Sequence, residues 1–500
     1  MEFSSDQIDC LSKLKAFLSE SGINFSELDG ISHESVSIDH EPVVVLGQAG
    51  SGKTQLLKAI VDTLESAQVN SANIDYETKL KEGTRCYAIL APTNKAVSVL
   101  KLLGVQATTL HRVLYSPVYD PDYEKISDWL LGSALRPELK SFNDEKLNQI
   151  KIFFDDHPSI PGALASVGIR TSDFIQGWKR RENPLDIGIV DESSMLTDTQ
   201  LQDLKKIFKV LILFGDPAQL APVEQSGSMI FDKISSLRKI SLTKIHRQVE
   251  GNPILRLANE LRNSDLTFMQ FDTQVRKLAQ NDERIVVSSR VNPNVMCRSP
   301  VLVWRNQTRI RLIQAFRKVY NIPSATIAKG EPLICDGIEL PSKHRKKRMD
   351  LEERGLIKGV QVIYLGPGKK SGFCKLYIVG ANDPVVSVAS IVQLEKVGKQ
   401  SPEILSAASM GVVFVHGAAT TIHKAQGSQW SEVQVFSPDI EASAHSGLVE
   451  AGIPLWKRLA YVAVTRAQDR LLWVTDYKLA NPDTNISISD LVLPNLSMEH

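Results

Sequence analysis

Apolar residues along this chain gather into short runs that end in polar or glycine-bearing turns, and stretches with helical spacing follow them. The runs Val43–Leu46, Tyr87–Leu90, Ile187–Val190 and Val210–Phe214 read as buried strands. Buried strands alternating with helices predict βα units and a parallel sheet. Ligands of such sheets sit beyond the carboxyl ends of the strands. The rhythm breaks at about residue 115, where a segment rich in Lys, Asp, Pro and Trp runs to about 184. It resumes with RIVVSS and VLVWRN, near residues 284 to 306, and breaks again at about 322 to 410. That second break is β-leaning and punctuated by glycine (GVQVIYLGPGKKSGFCKLYIVG). VQVF and RLLWVT complete the second series.

The pattern predicts an α/β fold of two parallel-sheet cores, each carrying an insertion. The first core takes 1–114 and 185–250, around an insertion at 115–184. The second takes 251–321 and 411–480, around an insertion at 322–410, and 481–500 is a tail. Length alone points the same way, since 500 residues correspond to roughly three domains. No repeat of fixed period and no low-complexity tract is present.

The first strand runs into Gly47-Gln48-Ala49-Gly50-Ser51-Gly52-Lys53-Thr54, which fits GxxxxGK[ST]. Glycines let backbone N–H groups close around phosphate oxygens, Lys53 reaches the β/γ-phosphates, and Thr54 can ligate Mg²⁺. The chance alternative is a glycine-rich turn, which the flanking strand and helix disfavour. In IGIVDESSML, Asp191 and Glu192 follow a strand; an Asp there can hold Mg²⁺ and a Glu can activate water. The plainer reading of DESS is a helix N-cap. VLILFGDPAQLAPV places Gln219 after a strand as a γ-phosphate sensor, or as part of a Gly-Asp-Pro turn. Arg247 and Arg466 are candidate arginine fingers, each with a surface ion pair as the alternative. Near the start, Ser4 and Gln7 open a helix whose apolar pattern is Ile8, Leu11, Leu14 and Leu18. Gln7 is either a capping-box partner or an adenine contact.

Composition narrows the setting. The net charge of +1 gives no bulk field for a polyanion, so any nucleic-acid surface is a local patch. The five cysteines form no CxxC pair, which argues against a zinc module and for a reducing compartment. The start of the chain, MEFSSDQIDC, is polar and acidic, unlike a signal peptide. No apolar run is long enough to span a membrane. A cytoplasmic protein with no membrane partner is expected.

The ordered series GQAGSGKT, APTNKAV, TTLHRVL, VDESS, GDPAQLAPV, LTKIHRQ, ATTIHKAQGSQW and YVAVTRA resembles the motif series of superfamily 1 helicases, in particular the RecD/Dda-like branch. The resemblance runs from about residue 4 to 476. It implies two RecA-like cores, ATP with Mg²⁺ in the cleft between them, and single-stranded nucleic acid across their tops. It implies that Lys53, Thr54, Asp191, Glu192, Gln219, Arg247, Gly427 and Arg466 serve ATP hydrolysis and that Gln7 contacts adenine. Pro92, Thr93, Asn94 and Lys95, with Thr109 and His111, would contact the strand from the first core. Thr421, His423, Lys424 and Gln426 would do so from the second. Such residue types at strand ends and helix starts suit phosphate oxygens, which carry no sequence information.

Trp304 is a further candidate for base stacking, or a core residue. Its stretch carries Arg305, Arg309, Arg311, Arg317 and Lys318 without an acid, and reads alternatively as a solvated helix face. KHRKKR at 343–348 reads as a solvated basic loop. Gln429 stands where the family pattern has Glu, near the nucleotide sugar. KRLAYVAVTRAQDRL resembles the UvrD branch as much as the RecD branch.

The resemblance makes the first insertion a strand-separating pin and the second an SH3-like module. The expected activity is ATP-driven unwinding of duplex DNA by translocation along single-stranded DNA, 5′→3′ by branch. A loading protein or a recombination or repair complex is left open as a partner. An RNA-acting relative and a nucleotide-gated clamp are the alternatives. A nuclease is disfavoured by the lack of a second carboxylate cluster.

Overall fold

A computed structural model of the chain describes residues 3–21, 41–72, 86–139, 142–156, 160–167, 169, 175–181, 185–222, 229–242, 251–339, 350–352, 354–381, 383–397, 403–408 and 411–482. Arg247 and the 343–348 basic run lie outside the described residues.

The first sheet is parallel throughout. Its order is Asn70–Ser71, Cys86–Ala91, Leu185–Val190, Phe208–Gly215, Val43–Gly47 and Lys239–Leu242, with Ala107–Thr109 also paired to Cys86–Ala91. Both faces are covered, as the near-continuous apolar strands require. The second sheet is likewise parallel, in the order Ile285–Ser288, Ala467–Val474, Trp430–Phe436, Val301–Val303 and Ala419–Thr421. The expected α/β architecture with two parallel-sheet cores is therefore what the chain forms.

The helix Ser5–Glu20 packs on the first core through a stripe that shares Leu11, Leu14 and Leu18 with the expected one but leaves Ile8 out. Gln7, Cys10, Leu14, Phe17 and Leu18 are buried, while Ile8 is 56% exposed. The residues at 7, 10, 14, 17 and 18 keep the helical period on one face and include a polar group, which the apolar count missed.

Residues 115–180 leave the first sheet as an antiparallel ribbon, Tyr115–Tyr119 with Ile175–Arg180, and enclose three helices with their own small apolar cluster. In the second insertion, Phe373–Ile378, Gln361–Pro367, Pro332–Glu339, Gly411–His416 and Val385–Leu394 pair successively, and the last pairs back to the first. The ring closes a small barrel around its own core. Its strand Gly411–His416 extends past the boundary expected near 410, because its register is set by Pro332–Glu339 on one side and Val385–Leu394 on the other.

The basic stretch at 305–318 is mostly structural. Arg305 is bound to buried Asp439 at 2.5 Å, Arg309 to Glu395 of the barrel, and Arg317 to Glu331 at 2.8 Å. Glu331 is fully buried where the chain enters the barrel. Its Oε1 also meets His416 Nε2 at 2.9 Å, where the chain leaves it. The Ala418 N–H donates to His416 Nδ1 at 3.2 Å, so Nε2 carries the proton and donates to Glu331. Glu331→Ala leaves Arg317 as an uncompensated buried charge, a change that costs about 3–5 kcal/mol. The expected result is a lowered thermal midpoint, with Glu331→Gln closer to the parent; an unmoved midpoint in Glu331→Ala would contradict this joint. Among the described residues, no helix is long and apolar enough to cross a membrane.

Candidate nucleotide site and strand-facing surface

The loop after Val43–Gly47 is built for an anion. Gly50 and Gly52 adopt φ of 80° and 78°, a left-handed backbone that glycine accepts without strain. Gly52 then opens the helix Lys53–Ser66, whose first N–H groups have no partner within the helix. A side chain at Gly47 would collide with Ser51 Oγ. Ser51 Oγ is itself buried with no hydrogen-bond partner. A cradle that only glycine leaves open, lined by an unmatched hydroxyl, fits a phosphate ligand. Lys53 Nζ lies within this loop, donating to Gly47 O at 2.6 Å and Gln48 O at 3.0 Å.

The neighbouring strands bring the acids to the same edge. The Asp191 N–H donates to Leu90 O at 2.9 Å, fixing it at the end of the sheet. Burial first, and the charge of Glu192 second, push the Asp191 carboxyl up from its ordinary value; Lys53 acts in the opposite direction. Glu192 sits at φ 52°, ψ 37°, a conformation that costs a non-glycine residue about 1–3 kcal/mol and persists only where its surroundings impose it. Gln219 Nε2 donates to Glu192 Oε2 at 3.0 Å, and Ser194 Oγ donates to Gln219 Oε1 at 3.3 Å. Asp191 and Glu192 are thus not caps of an ordinary helix. They form a strained turn, with Asp191 buried, that is tied to Gln219.

Gln7 makes the capping-box contact and also reaches the phosphate loop. Its Oε1 accepts from the Ser4 N–H at 3.0 Å, as in a capping box, and its Nε2 donates to Ser51 O of the phosphate loop at 3.4 Å. A cavity of about 480 Å³ opens beside Gly47 and Gln48, with Leu242, Asn259 and Arg262 on its far wall.

Arg466 comes from the second core and is buried. Its Nη1 donates to Ser428 O at 3.0 Å, its Nε to Val462 O at 3.1 Å and its Nη2 to Thr465 Oγ1 at 3.2 Å. Desolvation lowers its pKa, and the charge of Glu192 in the opposite core is the largest opposing influence. Gly427 has φ 72° and faces Thr93 across the cleft, 3.1 Å from its Oγ1 to an added Cβ. Gln429 is exposed and accepts from Gln468 Nε2 at 3.1 Å.

The strand-contact candidates divide. Pro92, Asn94 and Lys95 cluster at the start of the helix Asn94–Leu102, which Thr93 caps by accepting from the Ala96 N–H at 3.2 Å. Thr109 ends a sheet strand, and His111 is exposed with its ring edge-on to Trp178 of the ribbon, 4.1 Å between centroids. Thr421 ends the strand Ala419–Thr421, and His423 and exposed Lys424 follow it. Burial lowers the His423 pKa. Gln426 does not join this set. It is buried, and its amide donates to Leu220 O of the opposite core at 3.3 Å. Trp304 is half-buried at the margin of the second core's cluster.

Several residues that were not anticipated complete the cleft. Leu220, from the first core, is buried in the second core's apolar cluster. Tyr461 and Arg458 reach back from the second core to the first. The Lys95 ammonium lies 4.5 Å over the Trp430 ring, whose Nε1 donates to Gln361 of the barrel at 3.1 Å. Burial, with Arg466 nearby, lowers the Lys95 pKa to about 8.

This fold and site define a P-loop nucleotide-binding protein with two parallel-sheet cores. Residues 34–286 match the AAA domain family, half of the chain, and residues 416–474 match the UvrD-like helicase C-terminal domain. The chain belongs to the AAA-domain family. It is 23% identical over 465 residues to the ATP-dependent RecD2 DNA helicase of Deinococcus radiodurans, covering 88% of this chain and 48% of that protein. It is 25% identical over 310 residues to the conjugal transfer protein TraA of Rhizobium radiobacter, covering 59% of this chain and 25% of that protein. The chain thus spans a quarter to about half the length of these curated relatives. A crystal structure of Pif1 helicase from Bacteroides superimposes with a TM-score of 0.45 at 16% identity, over 99% of this chain and 95% of that one.

Proposed function

We propose that this chain is an ATP-dependent DNA helicase that translocates 5′→3′ along single-stranded DNA and unwinds duplex. The observation that carries this reading is the loop Asp216–Ala221. In it Gln219 is bonded to Glu192 beside the phosphate loop. The next residues face the other core: Leu220 is buried in the second core's cluster and the Ala221 N–H donates to Glu450 at 3.2 Å. A change at the terminal phosphate is in this way transmitted to the opposite core by a packed, hydrogen-bonded segment. A packed, hydrogen-bonded segment between two sites is one physical route for such coupling.

Hydrolysis of ATP supplies the free energy. Lys53 and the loop N–H groups hold its phosphates, Thr54 and Asp191 would hold Mg²⁺, which would offset phosphate charge, and Glu192, oriented by Gln219, takes the proton of the attacking water. Two hard oxygen donors suit Mg²⁺, which keeps several of its waters. Arg466 stabilises charge that develops in transfer, and Arg247 joins it by family pattern. Pro92, Thr93, Asn94, Lys95, Thr109 and His111 grip the strand from one core, and Thr421, His423 and Lys424 from the other. The ribbon at 115–180 acts as the separating pin, and the barrel steers the strand. Five unpaired, buried cysteines support a reducing, cytoplasmic setting.

The test is unwinding of a labelled DNA duplex bearing a 5′ or a 3′ single-stranded tail. Separation from the 5′ tail alone is expected. Separation from the 3′ tail alone would keep the helicase and reverse its direction. ATP turnover without separation from either tail, in a parallel assay that does unwind RNA, would transfer the activity to RNA; failure on both would leave the nucleotide-gated clamp.

A further inference from the structure

The helix Leu455–Val464 is packed in the second core, yet two of its side chains are bonded to the first. Arg458 Nη1 donates to Pro217 O at 3.0 Å and to Gln219 O, while its Nε donates to Glu450 O at 2.9 Å. Three residues along the helix, on the same face, the Tyr461 hydroxyl donates to Asp216 Oδ2 at 2.5 Å. The same hydroxyl accepts from the Ala49 N–H of the phosphate loop at 3.1 Å. Asp216 is fully buried; its Oδ1 accepts from the Ala218 N–H at 3.0 Å, and its carbonyl accepts from the Gln219 N–H at 3.2 Å. Burial, with the charge of Asp216 beside it, raises the phenol pKa well above its ordinary value, so the hydroxyl stays protonated and acts as a donor to Asp216.

We propose that Tyr461 is a positioning residue for ATP hydrolysis: its hydroxyl ties the phosphate loop at Ala49 to the Asp216 turn, and so sets Gln219 against Glu192. The path is continuous. Ala49 N–H meets Tyr461 Oη, Tyr461 Oη meets Asp216, the Asp216 turn holds the Gln219 backbone, and the Gln219 side chain holds Glu192. Arg458 fixes the same turn by its carbonyls, so the turn cannot shift relative to the helix without losing these bonds. The phenyl ring is part of the second core's apolar cluster whichever group it carries. Only the hydroxyl makes the link, and this separates positioning from packing. The inference rests on the ATP-driven reading above.

Tyr461→Phe keeps the ring and removes the link. The experiment measures ATP turnover with and without single-stranded oligothymidine, binding of a fluorescent ADP analogue, and the thermal midpoint, in the parent, Tyr461→Phe, Asp216→Ala and the double variant. The expected result is a fall in strand-stimulated kcat of about tenfold or more in Tyr461→Phe, with ADP-analogue binding changed by no more than about threefold. The double variant is expected to lose little more than Asp216→Ala alone, since both cut one path. Unchanged strand-stimulated kcat in Tyr461→Phe would overturn the inference, as would losses that multiply in the double variant, or a kcat loss matched by an equal loss of nucleotide binding. A parent that does not hydrolyse ATP would instead refute the reading on which the inference rests.

Discussion

Lys53→Ala is expected to lower ATP turnover by at least about a hundredfold, the scale on which loss of a single preorganised donor to transition-state charge is felt. The structure gives the reason for so large an effect from one side chain. Lys53 Nζ is gathered into the loop by two carbonyls, Gly47 O and Gln48 O, and is therefore preorganised. Arg262 of the second core is also bonded to that loop, but through the Gln48 side chain and not through the backbone carbonyls that gather Lys53, so it does not occupy the place of the Lys53 ammonium. Removing it leaves the glycine backbone intact, because Gly50 and Gly52 hold their conformation without the side chain. Binding of single-stranded DNA is expected to survive, since Thr93, Thr421 and Lys424 lie on other elements. Turnover by the alanine variant within threefold of the parent would remove Lys53, and with it the assigned phosphate site, from the reaction.

The phosphate loop, Asp191, Glu192 and Gln219 were legible because their chemistry is local. Glycine spacing, a strand before and a helix after are properties of a few consecutive residues, and the backbone then supplies the site. Parallel sheets were legible for a similar reason: strands buried on both faces are apolar throughout. Tyr461, Arg458 and Trp430 were not, because each acts on a partner far away in the chain. A tyrosine in YVAVTRA reads as core until the fold brings Asp216 and Ala49 to its hydroxyl. Gln426 shows the same limit from the other side. Its position beside His423 and Lys424 suggested a strand contact, yet folding sets it on Leu220 O, in the seam between cores. The run from Arg305 to Lys318 looked free of acids because its acids, Asp439, Glu395 and Glu331, come from elsewhere in the chain. A charge count within a window cannot see partners supplied by topology. The helix at the start of the chain adds a subtler case. Its buried stripe includes a glutamine, and that glutamine is the residue that meets the phosphate loop.

Arg466→Ala is expected to lower strand-stimulated turnover by about 10³–10⁵-fold, the contribution of an arginine finger. Its surroundings distinguish it from a surface arginine, where the same substitution would change little. The guanidinium is held on three sides by Ser428 O, Val462 O and Thr465 Oγ1, so its direction is fixed before any substrate arrives. Water is excluded, which strengthens its action on nearby charge. The charge of Glu192, from the opposite core, already acts on it. Lysine keeps the charge but cannot span those acceptors with a planar fork, so Arg466→Lys is expected to recover little of the loss. The link to strand binding follows from the same residue. Its carbonyl accepts from the Trp430 N–H at 2.9 Å, and the Trp430 ring carries the Lys95 ammonium of the first core. A displaced Arg466 therefore disturbs the seat of Lys95, and the alanine variant should also bind single-stranded DNA with an altered response to nucleotide. Both variants must keep the parent's circular dichroism and thermal midpoint for the kinetics to be read. Turnover by a folded Arg466→Ala within about tenfold of the parent would mean that this guanidinium serves only to hold its own core together.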